Sequence, residues 1–274
     1  MQFYVRRPAA LARHGMVATS EPQAAMAGLR ALMEGGNAVD AAVATSAVLC
    51  VTEPMSTGVG GDMFALVWSA KERKVYALNG SGRAARAASL EELRGKGLSQ
   101  IPYTSPYAVT VPGVVDGWRA LLKAHGTKRL SELLKPAIRY AQDGFIVSKV
   151  IARAWEAGVP KLTQYPSGTE FLTKGGGPKA GQVMRLPELA GTLKEIARRG
   201  PKAFYKGKIA DKMAAYVQER GGWLTQSDLA RHTSTWDEPI CTDYRGVTCW
   251  ECPPNTQGLA ALMALNIAEG FDIQ

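Results

Sequence analysis

The sequence predicts a helix-rich α+β fold, and three observations carry that expectation. Apolar residues recur at helical spacing through most of the 274 residues. Strand-like runs are short and fall into two hairpins, MFALVW with KVYAL, and EPICTDYRGVTCWEC. The third observation is residues 34–68, where a helix of small side chains runs through a glycine-rich loop into an apolar strand.

Residues 16–18 read as a short strand leading into a first helix, with Ser20 as its N-cap and Pro22 in its first turn. That helix runs to Glu34, with Ala25, Leu29, Leu32 and Met33 as its buried stripe. Gly35 and Gly36 can take positive φ, and Asn37 can accept a hydrogen bond from an early helical N–H, so a second helix starts there. Ala38, Ala41, Ala42, Ala44, Ser46 and Ala47 let neighbours approach it closely on several faces, which suits a helix deep in a layered protein. It ends before Pro54. The loop TGVGGD then leads to MFALVW, which reads as a buried strand. A phosphate cradle would need a strand before the glycines and a helix after them, the reverse of this order. A tight helix-to-strand turn is the default reading.

After the first hairpin comes NGSGRAARAAS, in which Asn79, Gly80, Ser81 and Gly82 are flexible and rich in hydrogen-bonding groups, and Arg83 offers a fixed cation. A loop directly after a hairpin suits ligand contacts, and a solvated connector is the competing reading. Further helices are expected over 90–98, 114–125, 131–142, 148–158, 186–199 and 206–220, with a helical turn at 227–230 and a last helix over 257–268. AVTVPG reads as another strand, GPKAFYKG as a turn, and residues 160–181 as the longest loop, the best place for mobility or partner contact. The second hairpin turns at Arg245-Gly246 and is stopped by Pro253-Pro254.

The composition, 46% hydrophobic and 21% charged, is that of an ordinary globular chain. The net charge of +9 is spread along the sequence, the nearest approach to a run being Arg6, Arg7, Arg13 and His14, so with no nucleic-acid motif it reads as solvated surface. No apolar run near the start is long enough for a signal core or a membrane span, which gives a cytoplasmic, non-membrane expectation. The arginines among alanines there hint at a transit peptide, but Pro8 interrupts the helix. Cys249 and Cys252 have the spacing of a metal or redox half-site, yet in a strand they point to opposite faces and no second pair follows. His14, His125 and His232 sit in no metal or triad spacing, and the paired acids Glu91 with Glu92 and Asp237 with Glu238 read as exposed charge. No catalytic residue, metal site or cofactor is assigned.

The blocks GMVATSEP, EGGNAVDAAVA, TEPMSTGVGGDMFALVW, VPGVVDGW, PAIRYAQDGFIVS, GPKAFYKG, GGWLTQSDL, EPI followed by DYRG, and CPPNTQG occur in the order of the γ-glutamyltranspeptidase family, which the chain resembles from residue 14 to 272. The resemblance implies the larger segment of a four-layer αββα sandwich of the N-terminal-nucleophile hydrolase type, with residues 1–274 as a single, incomplete domain. It implies an acyl-enzyme reaction on γ-glutamyl compounds such as glutathione, in which a threonine freed by self-cleavage attacks the amide. That threonine belongs to a small subunit or downstream segment, which is the expected partner, so the chain alone is expected to lack turnover. Thr233, Ser234 and Thr235 are not nominated as the nucleophile. Glutathione-cleaving relatives carry an arginine where this sequence has Ser81. The resemblance therefore implies that Asn79, Ser81 and Arg83 line the acyl pocket, in a form similar to the cephalosporin-type acylase branch. An acylase acting on a different acyl amide, glutaryl or cephalosporin-like, and a non-catalytic fragment that binds the partner segment, are the alternatives.

Overall fold

The computed structural model describes residues 9–272, so Arg6, Arg7, Pro8 and Gln274 lie outside the described residues. The helices are α1 (Pro22–Met33), α2 (Ala38–Thr52), α3 (Leu90–Gly95), α4 (Val114–His125), α5 (Leu130–Leu133), α6 (Lys135–Asp143), α7 (Lys149–Leu162), α8 (Pro187–Arg199), α9 (Pro201–Tyr205), α10 (Lys208–Gln218), α11 (Gln226–Ala230) and α12 (Gly258–Glu269). The strands are β1 (Met63–Ser69), β2 (Lys74–Gly80), β3 (Phe145–Ile146), β4 (Val183–Met184), β5 (Thr235–Asp237), β6 (Ile240–Tyr244) and β7 (Val247–Glu251).

α2 is the axis of the core. The Asn37 side chain accepts from the amides of Val39 and Asp40, and the Asp40 carboxylate accepts from Asn37 N–H, closing a capping box. Only Ala38, Ala42, Ser46 and Leu49 of this helix escape full burial. α1 packs along it at close range, because a Cβ at Gly28 would lie 2.2 Å from Thr45 Oγ1. This closeness corrects the expected stripe of α1: Ala24, Ala27, Gly28 and Ala31 face inward, while Leu29 and Met33 are exposed. Two backbones this near leave room only for small side chains in the seam. Ser20 also departs from expectation, bonding Glu53 rather than capping α1, and residues 16–18 form no strand.

Asp40 is fully buried and receives the Thr127 amide at 3.0 Å, the Thr127 hydroxyl at 2.6 Å and the Lys128 amide at 3.0 Å. Burial pushes its carboxyl upward, but these bonds outweigh that and hold it below the usual carboxylate range. The start of α2 is thereby tied to the turn that follows α4.

β1, β2 and β5 form an antiparallel sheet in that order, with Met63 opposite Gly80 and Asn79 opposite Thr235. The sheet is covered on one face. Met63, Ala65 and Val67 pack on the core, whereas Leu66 and Trp68, pointing the other way, are exposed, so the expected buried strand is buried on one side only. The glycine loop before β1 turns its Gly61 carbonyl onto the amides of Gly113 and Val114, at 2.8 and 3.1 Å. It caps α4 with an acceptor, so the turn reading holds and a phosphate cradle does not.

Several boundaries move for local reasons. Residues 108–113 are not a strand: Pro112 lacks an N–H, and the Val111 amide bonds the Arg83 carbonyl at 3.0 Å. The helix expected over 131–142 divides into α5 and α6 beside Pro136. α7 runs past Gly158, with Pro160 inside its last turn. The expected loop 160–181 is anchored at several points, with Trp155 Nε1 donating to the Phe171 carbonyl and the Glu170 carboxylate capping the amide of Glu188 at the start of α8. GPKAFYKG contains α9, and the three-residue β5 went unread. The second hairpin is as expected, with Arg245 and Gly246 both at positive φ.

Candidate active site

β2, the central strand, carries Asn79 near its C-terminal end, on the same uncovered face as Leu66 and Trp68. The chain can leave the strand only through glycine. A Cβ at Gly82 would lie 1.4 Å from the Val111 carbonyl oxygen, and one at Gly113 would lie 1.9 Å from that of Gly80. The two backbones touch there, which fixes Ser81 and Arg83 on either side of the contact.

Three side chains close a ring. Asn79 Nδ2 donates to Asn255 Oδ1 at 3.0 Å, Asn255 Nδ2 donates to Ser81 Oγ at 3.1 Å, and Ser81 Oγ donates to Asn79 Oδ1 at 2.7 Å. The Ser81 amide also donates to Asn79 Oδ1 at 3.0 Å. The ring spends the Ser81 proton internally and leaves one N–H on each carboxamide, so its wall is neutral and polar. It borders a cavity of about 370 Å³ that Arg83, Thr233 and Thr235 also line.

Arg83 is exposed, with Nη1 donating to the Thr233 carbonyl at 3.4 Å. Thr233 is held in place from beneath. The adjacent Ser234 amide donates to Asp116 Oδ2 at 2.7 Å, and Arg119 Nε donates to Asp116 Oδ1 at 2.8 Å. Burial raises the Asp116 carboxyl, yet the bonds from Arg119 and Ser234 hold it below its ordinary range. Tyr205 completes the support, its hydroxyl accepting from the Asp116 amide and donating to the Pro112 carbonyl at 2.8 Å. Beside it, burial holds the His232 imidazole below its ordinary value of 6.5, so that it is chiefly neutral at pH 7.

All three residues expected in the pocket, Asn79, Ser81 and Arg83, therefore border one cavity, and the structure adds Asn255 and Thr233, which sequence reasoning missed. Asn255 lay within CPPNTQG, where the prolines that stop β7 turn the chain back toward β2. Thr233 participates through its carbonyl, for which a sequence carries no signal. Among the described residues no group of three His, Cys, Asp or Glu could hold a metal, and Cys249 and Cys252 are free thiols. No helix of the described residues is long and apolar enough to cross a membrane.

A one-sided sheet backed by helices, with a polar cavity at the end of its central strand, is the larger part of the αββα N-terminal-nucleophile hydrolase fold. The model of the gamma-glutamyltranspeptidase family matches residues 24–274, and the chain belongs to that family. It is 40% identical to the glutathione hydrolase-like YwrD proenzyme of Bacillus subtilis (strain 168) over 94% of this chain and 49% of the relative. Among solved structures it is similar to cephalosporin acylase from Bacillus halodurans, with a TM-score of 0.88, 42% identity, and coverage of 100% of this chain and 53% of that one. It is also similar to Helicobacter pylori gamma-glutamyltranspeptidase, with a TM-score of 0.90, 32% identity, and coverage of 97% and 78%. The chain spans about half the length of the curated relatives it matches.

Proposed function

We propose that this chain is the large-subunit portion, a single incomplete domain, of an amidohydrolase or acyltransferase that acts on γ-glutamyl compounds such as glutathione through an acyl-enzyme. Its nucleophile is supplied by a downstream segment. That hydroxyl forms a bond to the amide carbon as the C–N bond breaks, the proton passes to the leaving amine, and water or an amine then releases the acyl group. Asn79, Ser81 and Arg83 hold the acyl group, with Asn255 completing the neutral wall. The carrying observation is the cavity at the end of β2, where the Asn79, Ser81 and Asn255 ring meets the Arg83 cation. The proenzyme names and half-length match of the relatives support a downstream partner, whose place is the bare face around Leu66, Trp68 and α12.

A second reading, an acylase for glutaryl-like groups, draws on the neutral ring around Ser81 and on the likeness to cephalosporin acylase. A neutral wall grips a carboxylate less strongly than a bidentate arginine would. Rates of the full-length processed protein on γ-glutamyl anilide and glutaryl anilide separate the two. The main reading predicts faster glutamyl cleavage that falls in Arg83→Ala. No cleavage of either anilide contradicts both readings.

A further inference from the structure

Arg83 stands between two cavities. Besides the one bordered by the Asn79, Ser81 and Asn255 ring, it lines a second of about 360 Å³, together with Arg86, Asp228, Arg231 and His232. The second cavity is bordered by three arginines and one aspartate, an excess of positive charge. Among the described residues none of these arginines is in a salt bridge. Asp228 offsets one of the three positive charges, its negative charge acting on Arg86, and its oxygens are engaged by backbone and hydroxyl donors. One accepts the Thr225 amide at 3.0 Å and hydroxyl at 2.6 Å, closing the capping box of α11, and the other accepts the Arg86 amide at 3.2 Å. His232 adds no cation at pH 7, since burial keeps it chiefly neutral.

The backbone that carries the three arginines is fixed by hydrogen bonds. The Arg83 carbonyl accepts the Val111 amide, the Arg86 amide is fixed on Asp228, and Arg231 is the residue that ends α11, its amide bonded to the Ser227 carbonyl. A concave surface with an excess of one sign of charge concentrates ions of the other sign, and the planar fork of a guanidinium matches a carboxylate.

We propose that this second cavity binds a carboxylate of the amide substrate, with Arg86 and Arg231 as its partners and Arg83 shared with the acyl cavity. The inference rests on the amidohydrolase reading and assigns Arg86 and Arg231 a part in specificity. The carboxylate can belong to the acyl half or to the amine half, and paired substrates distinguish them. In the full-length processed protein, glutaryl anilide is compared with butyryl anilide, and the butyryl amide of 4-aminobenzoate with that of aniline. The expected result is a fall in kcat/KM of at least about tenfold in Arg86→Ala and Arg231→Ala for the carboxylate-bearing member of one pair, with its uncharged partner within about twofold. The affected pair identifies the half that carries the carboxylate. Equal losses on charged and uncharged substrates, or no loss in either pair, overturn the proposal.

Arg86→Lys and Arg231→Lys, which keep the charge, guard against a variant that merely misfolds, and each is expected to recover part of the selective loss. Calorimetric titration with glutarate and with 4-aminobenzoate reads the cavity without turnover. Binding by the wild type that is lost in both alanine variants, in a protein that cleaves no anilide, would remove the amidohydrolase reading and leave the cavity as a carboxylate site. Binding of neither compound, or binding unchanged in both variants, contradicts the site itself.

Discussion

α2 and α12 are both rich in apolar residues around their whole circumference, yet they have opposite surroundings. Val43, Ala47 and Val48 of α2 are completely buried, enclosed by α1, α4 and α6. α12 buries only Gly258 and Leu262, while Leu259, Met263 and Ile267 are 49%, 56% and 66% exposed. A helix that is apolar all round belongs inside a protein. The first has its surroundings within these residues and the second does not. Among the described residues it packs chiefly on the β6–β7 hairpin, which pins its end through the Arg245 amide on Glu269. The same contrast runs across the sheet, where Met63, Ala65 and Val67 are covered and Leu66 and Trp68 are bare. Asn79, in the candidate site, lies on the bare side.

The comparison can be broken first at the closed end. Asp40→Ala strands the amides of Asn37, Thr127 and Lys128 in a dry interior, and is expected to lower stability by about 3 kcal/mol or more in denaturant unfolding. Gly28→Val forces a side chain into the α1–α2 seam, where even a Cβ meets Thr45, and a loss of about 1–3 kcal/mol is expected by the same measurement. The buried carboxylates sharpen it with pH. Asp40 and Asp116 are held below their ordinary value of 3.8 in the folded state. Their contribution is full above that value and is lost as pH falls through the lower folded values. Stability therefore declines in acid below about pH 4, and Asp40→Asn is expected to flatten that slope in unfolding curves. The open end should give the smallest effect. Met263→Glu is expected to change the stability of this chain by less than about 0.5 kcal/mol, while weakening association of the complete protein's two segments, read by size-exclusion chromatography.

The parts of the fold that were legible in the sequence are those set by local chemistry. Asn37 and Asp40 announce the start of α2, and Arg245-Gly246 turns the second hairpin. What stayed hidden depends on partners distant in sequence. Leu29 and Met33 look like a core stripe until the closeness of α2 reverses the choice, and β5 is three residues long, given shape only by pairing with β2. The residues that border the candidate cavity divide in the same way. Asn79, Ser81 and Arg83 came from a resemblance to a family, whereas Asn255 enters through a contact spanning 176 residues, which no local pattern encodes.

We infer that the bare face of the sheet and α12 are covered in the complete protein by the segment that brings the nucleophile. Hydrogen exchange of the α12 amides, measured in this chain alone and in the full-length processed protein, tests it most directly. Rapid exchange across residues 258–269 is expected in the chain alone and strong protection in the full-length protein. Equal exchange in the two would contradict it.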